Sequence, residues 1–300
     1  MYDIIVIGAG PAGLTAAIYA RRAEKSVLVI EKSSFGGQMT HSPKIENYPA
    51  FSQISGLELA DKMVEQALEL GADIEMDEAV EVRDMGEFKK VICEGGEYDG
   101  KALIIAVGVK HRQLGLDREN ELCGNGVSYC AVCDGAFYKG KTVGVVGGGN
   151  SALQEAILLA ETSKKVYVIQ NLDVLTGETK LQSKLATLPN VEIITGATVE
   201  RLVGADELNA VTVKTANGEQ NIELDGLFVA IGLLPKNDIF AKLAMLNMGG
   251  YFDSDESCKT STDGVFVAGD CRQKAIRQIT TATADGAVAA LAACRYLESL

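Results

Sequence analysis

Short apolar runs, each closing on a glycine turn and followed by a stretch of helical spacing, organise most of this chain. The first unit is an apolar run over 3–7, a turn from Gly8 to Gly13, an amphipathic stretch over 14–22, and a second apolar run over 26–30 ending at Glu31. Unbroken apolar runs predict strands buried on both faces, and helical spacing between two of them predicts a βαβ unit. The same grammar returns 139 residues later: a run over 142–146, a turn at 147–149, a helix over 151–161 and a strand over 166–169. Between these units the pattern predicts a helix over 57–70, paired strands over 78–82 and 89–92, and a buried strand over 102–106 closing on Gly108. A comparable strand over 226–230 closes on Gly232, and the tail carries one over 264–268, then Gly269 and Asp270, then a long helix from about Thr281. The tail has no nucleotide-type start of its own, so it is expected to complete the first domain. The fold class expected is α/β with two Rossmann-like dinucleotide-binding domains, the second inserted into the first: residues 1–111 with 237–300, and 112–236.

The turns carry the first chemistry. In Gly8-x-Gly10-x-x-Gly13, with Pro11 and Ala12 between, the first glycine permits the tight turn and the second lets backbone approach a pyrophosphate. The third allows close helix–strand packing, and the helix N-terminus faces the phosphate charge. Glu31 follows Gly13 by 18 residues, at the end of the second strand, where a carboxylate can accept ribose hydroxyls. The second turn, Gly147-x-Gly149-Asn150-Ser151-Ala152, repeats the fingerprint with alanine in third place. Where NAD readers place an acid and NADP readers an arginine, it has Gln170, Asn171 and Leu172, so a retained fold with weak or absent nucleotide binding stands beside a working second site.

Composition narrows the classes. A net charge of −13 argues against nucleic acid or an anionic membrane as partner. No apolar run is long enough to span a membrane, and the first strand starts so early that no cleavable leader is expected, which makes the cytoplasm the expected location. Seven cysteines are present, but only Cys130 and Cys133 form a Cys-x-x-Cys. Such a pair can close a small disulfide in which one thiol attacks a partner and the other resolves, and the adjoining Asp134 can exchange protons with the thiolates. Cys93, Cys123, Cys258, Cys271 and Cys294 show no paired spacing and are expected to be small buried apolar residues. No metal is expected, because His41 and His111 are isolated and there is no second Cys-x-x-Cys.

These stretches, together with Gly36-Gly37-Gln38, the run 45–49 containing Asn47, the run 106–108, residues 128–135 and the run 264–270 followed by Arg277 and Gln278, resemble the low-molecular-weight, bacterial-type thioredoxin reductases over the whole length. The resemblance implies FAD on the first domain. Gly8, Gly10, Pro11, Ala12, Gly13, Glu31, Gly36, Gly37, Gln38 and Asn47 would hold it, with Val80 meeting the adenine through its backbone. Gly108, Gly269, Asp270, Arg277 and Gln278 would lie along the pyrophosphate and flavin. It implies Cys133 as the sulfur that receives electrons, Cys130 as the thiol that attacks thioredoxin, and Asp134 as acid–base. It further implies a homodimer, and two domains that rotate about hinges near 110–114 and 234–238.

One departure bears on the electron donor. NADPH-using members carry arginines where this chain has Asn171, Leu172 and Thr176, and charge-assisted contacts to a 2′-phosphate are worth ~1.5–3 kcal/mol each. NADPH is therefore disfavoured. NADH lacks its usual acid, although Asn171 can hydrogen-bond a ribose, and a ferredoxin delivering electrons directly to the flavin ranks evenly with a nicotinamide. Lys110, Arg112, Arg272, Lys274 and Arg277 are the expected basic landing area for a ferredoxin. Alternative readings are a reductase of another small disulfide or peroxidase partner, and a flavin-binding regulator without turnover.

Overall fold

The computed structural model describes residues 1–300 as two compact units, residues 1–110 with 234–300, and residues 111–233. Along the first unit come β1 (Tyr2–Ile7), α1 (Pro11–Arg22), β2 (Val27–Glu31), α2 (Gly56–Glu69), β3 (Asp73–Met76), β4 (Ala79–Asp84), β5 (Lys89–Cys93) and β6 (Glu97–Ile105). The sheet order is β3-β2-β1-β6-β5-β4, parallel from β3 to β6 and antiparallel from β6 to β4. Ile4, Ile5 and Val6 on β1 have no exposed surface, as expected where a parallel strand is covered on both faces.

Local chemistry starts each helix where the pattern predicts one. Pro11 is the first helical residue of α1, a position where its missing N–H costs nothing. The Ser55 hydroxyl accepts the Glu58 N–H to cap α2, whose Leu59, Ala60, Met63 and Ala67 form one buried stripe.

The chain enters the second unit along β7 (Lys110–His111) and continues through β8 (Val127–Ser128), α3 (Ala131–Asp134), β9 (Thr142–Val146), α4 (Asn150–Ala160), β10 (Lys165–Ile169), α5 (Thr179–Ala186) and β11 (Val191–Ile194). Next come β12 (Thr198–Val203), β13 (Ala210–Thr215), β14 (Gly218–Glu223) and β15 (Gly226–Val229), and the chain leaves along β16 (Leu233–Leu234). A parallel sheet β11-β10-β9-β15-β8 forms the core, with an antiparallel β12-β13-β14 sheet beside it in sequence. The antiparallel sheet was not expected, because its strands alternate polar and apolar residues too weakly to stand out.

The returning chain places β17 (Val265–Val267) parallel to β6 in the first unit and ends in α6 (Ile279–Glu298). Gln278 and Thr281 cap α6 reciprocally. Helix α6 lies directly on α1, since a Cβ at Gly286 would fall 2.1 Å from the Ala12 carbonyl oxygen. The α/β class with two dinucleotide-type folds, the second inserted into the first, is thus present. No helix is long and apolar enough to cross a membrane.

Candidate active site

The first glycine turn is built by steric exclusion on two sides and openness on the third. Gly8 has φ +106°, and a Cβ there would lie 2.4 Å from the Ala106 oxygen; a Cβ at Gly13 would lie 1.8 Å from the Gly8 oxygen. At Gly10 no atom lies within 4 Å of the Cβ position, and no side chain caps the helix that starts there. A cradle that is tight beneath and open above a helix N-terminus suits a phosphate.

Glu31, Gly36, Gly37 and Gly269 gather around this turn, and the other predicted residues outside it lie elsewhere in the unit. Buried Glu31 accepts the Ala9 N–H at Oε2 (2.8 Å) and the Ser33 N–H at Oε1 (3.0 Å), which locks its carboxylate beside the turn. The Gly36 N–H donates to the Ala9 oxygen at 2.7 Å, a Cβ at Gly37 would meet the Gly10 Cα at 3.5 Å, and Gln38 donates to the Val109 oxygen beside Gly108. Asn47 donates to Gln278 at 3.2 Å. Gly269 packs on Ala12, where a Cβ would lie 2.9 Å from that methyl, and brings Asp270 after it. Burial raises the Asp270 carboxyl, although Lys274 and Arg277 pull it down, and its Oδ1 is buried with no hydrogen-bond partner. Val80 sits on β4 where the register slips between Ala79 and Glu81, so it is left out of the strand pairing.

Arg272, Lys274 and Arg277 do not form an exposed basic area. Arg272 is 3% exposed and donates to Ser254 and to the Asp255 oxygen. Lys274 is buried against Asp285 at 2.8 Å, and Arg277 donates to the Asp270 oxygen while lying 4.4 Å over the Tyr251 ring. Internal carboxylates and carbonyls consume these cations, which takes three of the five residues out of the landing area expected from sequence, whereas Lys110 and Arg112 are exposed.

In the second unit, the end of β8 delivers the redox pair. Cys130 and Cys133 are joined by a disulfide with their Cα atoms 5.3 Å apart, and the Cys133 N–H donates to the Cys130 Sγ at 3.2 Å. The Ser128 hydroxyl accepts the Cys130 N–H at 3.1 Å and donates to the Asp134 Oδ2 at 2.6 Å. Burial raises the Asp134 carboxyl and the Ser128 hydrogen bond lowers it. Burial pushes the carboxyl of Glu155 on α4 up to about 7, against the facing Ala131 N–H, which pulls it down. Val132, between the cysteines, is 60% exposed.

The remaining thiols stay protonated. Burial pushes Cys93 up to about 11 and Cys258 and Cys271 up to about 12, and raises Cys294 and the less buried Cys123. A thiol in that range is a poor nucleophile near neutrality.

The second glycine turn repeats the first in outline. A Cβ at Gly147 would meet the Ala230 oxygen at 2.5 Å and the Ala152 methyl at 3.1 Å, while at Gly149 the nearest atom is the Thr176 hydroxyl at 3.9 Å. Asn150 opens α4, followed by exposed Ser151. Gln170 is buried against Gly148 and donates to the Val174 oxygen at 3.3 Å. Asn171, Leu172 and Thr176 are exposed, and no cationic residue lies between 170 and 179. Backbone N–H groups of Thr176 and Gly177 both donate to the Gly148 oxygen at 2.8 Å. The Asn150 amide donates to Glu178 at 3.0 Å and accepts the Glu178 N–H at 2.7 Å. Ser128, Glu155 and Glu178 were not singled out from sequence, because nothing in their spacing separates them from surface polar residues.

Residues 2–286 match the family described as pyridine nucleotide-disulphide oxidoreductase. The chain is 42% identical to a thioredoxin reductase of Bacillus subtilis (strain 168), covering all of this chain and 96% of that one. It superposes on a thioredoxin reductase structure from Streptococcus pyogenes with a TM-score of 0.97, at 40% identity and covering 100% and 99% of the two chains. It is also similar, at TM-score 0.55 and 32% identity over 100% and 99% of the chains, to a ferredoxin-flavin thioredoxin reductase from Clostridium acetobutylicum.

Proposed function

The chain belongs to the pyridine nucleotide-disulphide oxidoreductase family, among the low-molecular-weight thioredoxin reductases, and from that membership we propose that it reduces the disulfide of thioredoxin through Cys130 and Cys133. The observation that carries the reading is the bonded cysteine pair with the Asp134 carboxyl beside it. No other pair of thiols in the chain is so placed.

The first glycine turn fits FAD. Space above Gly10, a locked Glu31 carboxylate and the partnerless buried oxygen of Asp270 are what a pyrophosphate, a ribose and a further polar ligand group would need. Gly8, Gly10, Pro11, Ala12, Gly13, Glu31, Gly36, Gly37, Gln38 and Asn47 would hold it, with Val80, Gly108, Gly269, Asp270, Arg277 and Gln278. When bound and reduced by the electron donor, the flavin would supply the electron pair that opens the Cys130–Cys133 bond, and two protons would complete the thiols.

The chain's own groups then carry the exchange. Cys130 gives its proton to Asp134 and attacks the thioredoxin disulfide, forming a mixed disulfide and releasing one partner thiolate, which takes up the proton of the Cys133 thiol. Cys133 attacks the Cys130 sulfur, restores the internal bond and releases the second partner thiolate, which takes up the proton held by Asp134.

The electron donor is one that needs no 2′-phosphate grip, because Asn171, Leu172 and Thr176 offer no cation to one. Gly147, Gly149, Asn150, Ser151 and Ala152 would receive the pyrophosphate of NADH, and a ferredoxin remains the alternative. Stopped-flow reduction of the bound flavin by NADPH, NADH and reduced ferredoxin in parallel separates them, and fast reduction by micromolar NADPH overturns the argument from the missing arginines. The thioredoxin reading is tested with Cys133→Ser, which should lose turnover and retain thioredoxin as a covalent adduct on Cys130. Undiminished turnover in that variant refutes it.

A further inference from the structure

We infer that Ser128 is a positioning residue for the acid–base step: its hydroxyl ties down one oxygen of Asp134 and leaves the other as the atom that exchanges protons with the thiols. The inference rests on the proposed reading of Asp134 as acid–base and adds a group that acts through it.

The geometry is specific. Ser128 is 4% exposed and ends β8, two residues before Cys130. Its oxygen accepts the Cys130 N–H at 3.1 Å, which leaves the single hydroxyl proton for another acceptor. That proton points at Asp134 Oδ2, 2.6 Å away, with the Cys130 carbonyl a distant second at 3.5 Å. The other carboxyl oxygen, Oδ1, is buried and has no partner. A carboxyl with one oxygen held and one free takes its proton on the free one. Ser128 thus joins the backbone of the attacking cysteine to the carboxyl that deprotonates it.

Energetically the contact works against burial. Desolvation favours the neutral acid, and donation from Ser128 favours the carboxylate. Without the hydroxyl, Asp134 holds its proton to higher pH and serves as base in a smaller fraction of molecules. In the step affected, the Cys130 S–H proton moves to Asp134 Oδ1 as the sulfur attacks the partner disulfide. The same proton later leaves with a partner thiol, so the carboxyl ends as it began.

Other titratable groups face this one. Cys123 and Tyr138 both feel the Asp134 charge, and burial raises both. Glu155 faces the neighbouring Ala131 N–H from α4. Because burial pushes the Glu155 carboxyl up to about 7, the test is run with Glu155 intact and in a Glu155→Gln background.

The experiment uses flavin-loaded protein reduced beforehand with dithionite and mixed in a single turnover with a purified bacterial thioredoxin in its disulfide form, from about pH 5.5 to pH 9. Alkylation of Cys130 by iodoacetamide, followed by mass spectrometry over the same range, is the second readout. Ser128→Ala should move the rising limb of both profiles to higher pH, with about a tenfold loss at the acid end of the range that shrinks toward its alkaline end. Ser128→Thr, which keeps the hydroxyl, should restore the wild-type profile. In an Asp134→Asn background the Ser128→Ala change should have no further effect. If it slows that background by the same factor, Ser128 acts on the backbone alone and the inference is overturned. An unshifted Ser128→Ala profile beside a slow Asp134→Asn protein also overturns it and leaves the acid–base reading standing. Full activity in Asp134→Asn refutes the acid–base reading itself.

Discussion

The Glu155 carboxyl, on the helix of the second glycine turn, faces the backbone N–H of Ala131, the first residue after Cys130. Its Oε2 is buried without a partner. Burial raises this carboxyl from an ordinary 4.5 to about 7. Between those values the folded chain keeps a proton that the unfolded chain has lost, so stability falls as pH rises through that window and stays lower above it. Glu155→Gln keeps a polar side chain facing Ala131 and removes the charge. It should be more stable than the parent at pH 8 by ~1–3 kcal/mol, discounted for partial exposure, and no more stable at pH 5. Thermal unfolding at the two pH values checks this. An equal offset at both shows that the ionised form carries no penalty.

Gly10 and Gly13 should respond to the same substitution in opposite ways. Alanine at Gly10 enters open space, so the fold should survive, while the methyl occupies the place a phosphate would take. Gly10→Ala should purify with wild-type secondary structure and most of its flavin lost. Alanine at Gly13 drives a methyl into the Gly8 carbonyl at 1.8 Å, so Gly13→Ala should destabilise the unit itself by ~2–4 kcal/mol. Visible absorbance and circular dichroism on both variants separate the two effects. Retention of flavin by Gly10→Ala would place the cofactor elsewhere.

Asp285 is the hidden support of the Gly269–Asp270 segment. From within α6 its Oδ2 accepts the Gly269 N–H at 3.0 Å and faces Lys274 at 2.8 Å and Arg272 at 3.6 Å. Both cations are buried, so removing the carboxylate strands them. Asp285→Asn should lose ~3–5 kcal/mol in urea unfolding and release flavin below the main transition. A loss under ~1 kcal/mol would mean that water enters to replace the carboxylate.

The redox pair, both glycine turns and Glu31 were legible because each is a local device: a fixed spacing, a glycine that sterics demand, an acid at a strand end. The partners of those devices were not. Ser128 and Asp134 lie six residues apart with no periodicity linking them, and Asp285 meets Gly269 only because α6 packs on α1. The basic residues after Asp270 read as a surface patch, since composition cannot show that a buried carboxylate 11 residues beyond Lys274 consumes their charge. The β12-β13-β14 sheet escaped for a related reason. Its outer strands β12 and β14 are mostly solvent-facing, and Val211, Thr212 and Val213 are buried only through pairing that sequence does not announce.

The missing arginines give the sharpest test of the donor. Asn171, Leu172 and Thr176 are all exposed, so longer cationic side chains there displace no core, and Thr176 already lies next to the second glycine turn. The variant Asn171→Arg/Leu172→Arg/Thr176→Arg should therefore fold as the parent does. If the second fold still accepts a nicotinamide nucleotide, NADPH gains up to three charge-assisted contacts at ~1.5–3 kcal/mol each. Even with imperfect geometry, kcat/KM for NADPH should rise by about 100-fold or more, and NADH, which has no 2′-phosphate to grip, should change by less than about threefold. Anaerobic reduction of the bound flavin by each nucleotide is the measurement. A triple variant that remains as slow with NADPH as its parent shows that the fold around Gly147 and Gly149 no longer takes a nucleotide, which leaves a ferredoxin as the source of electrons.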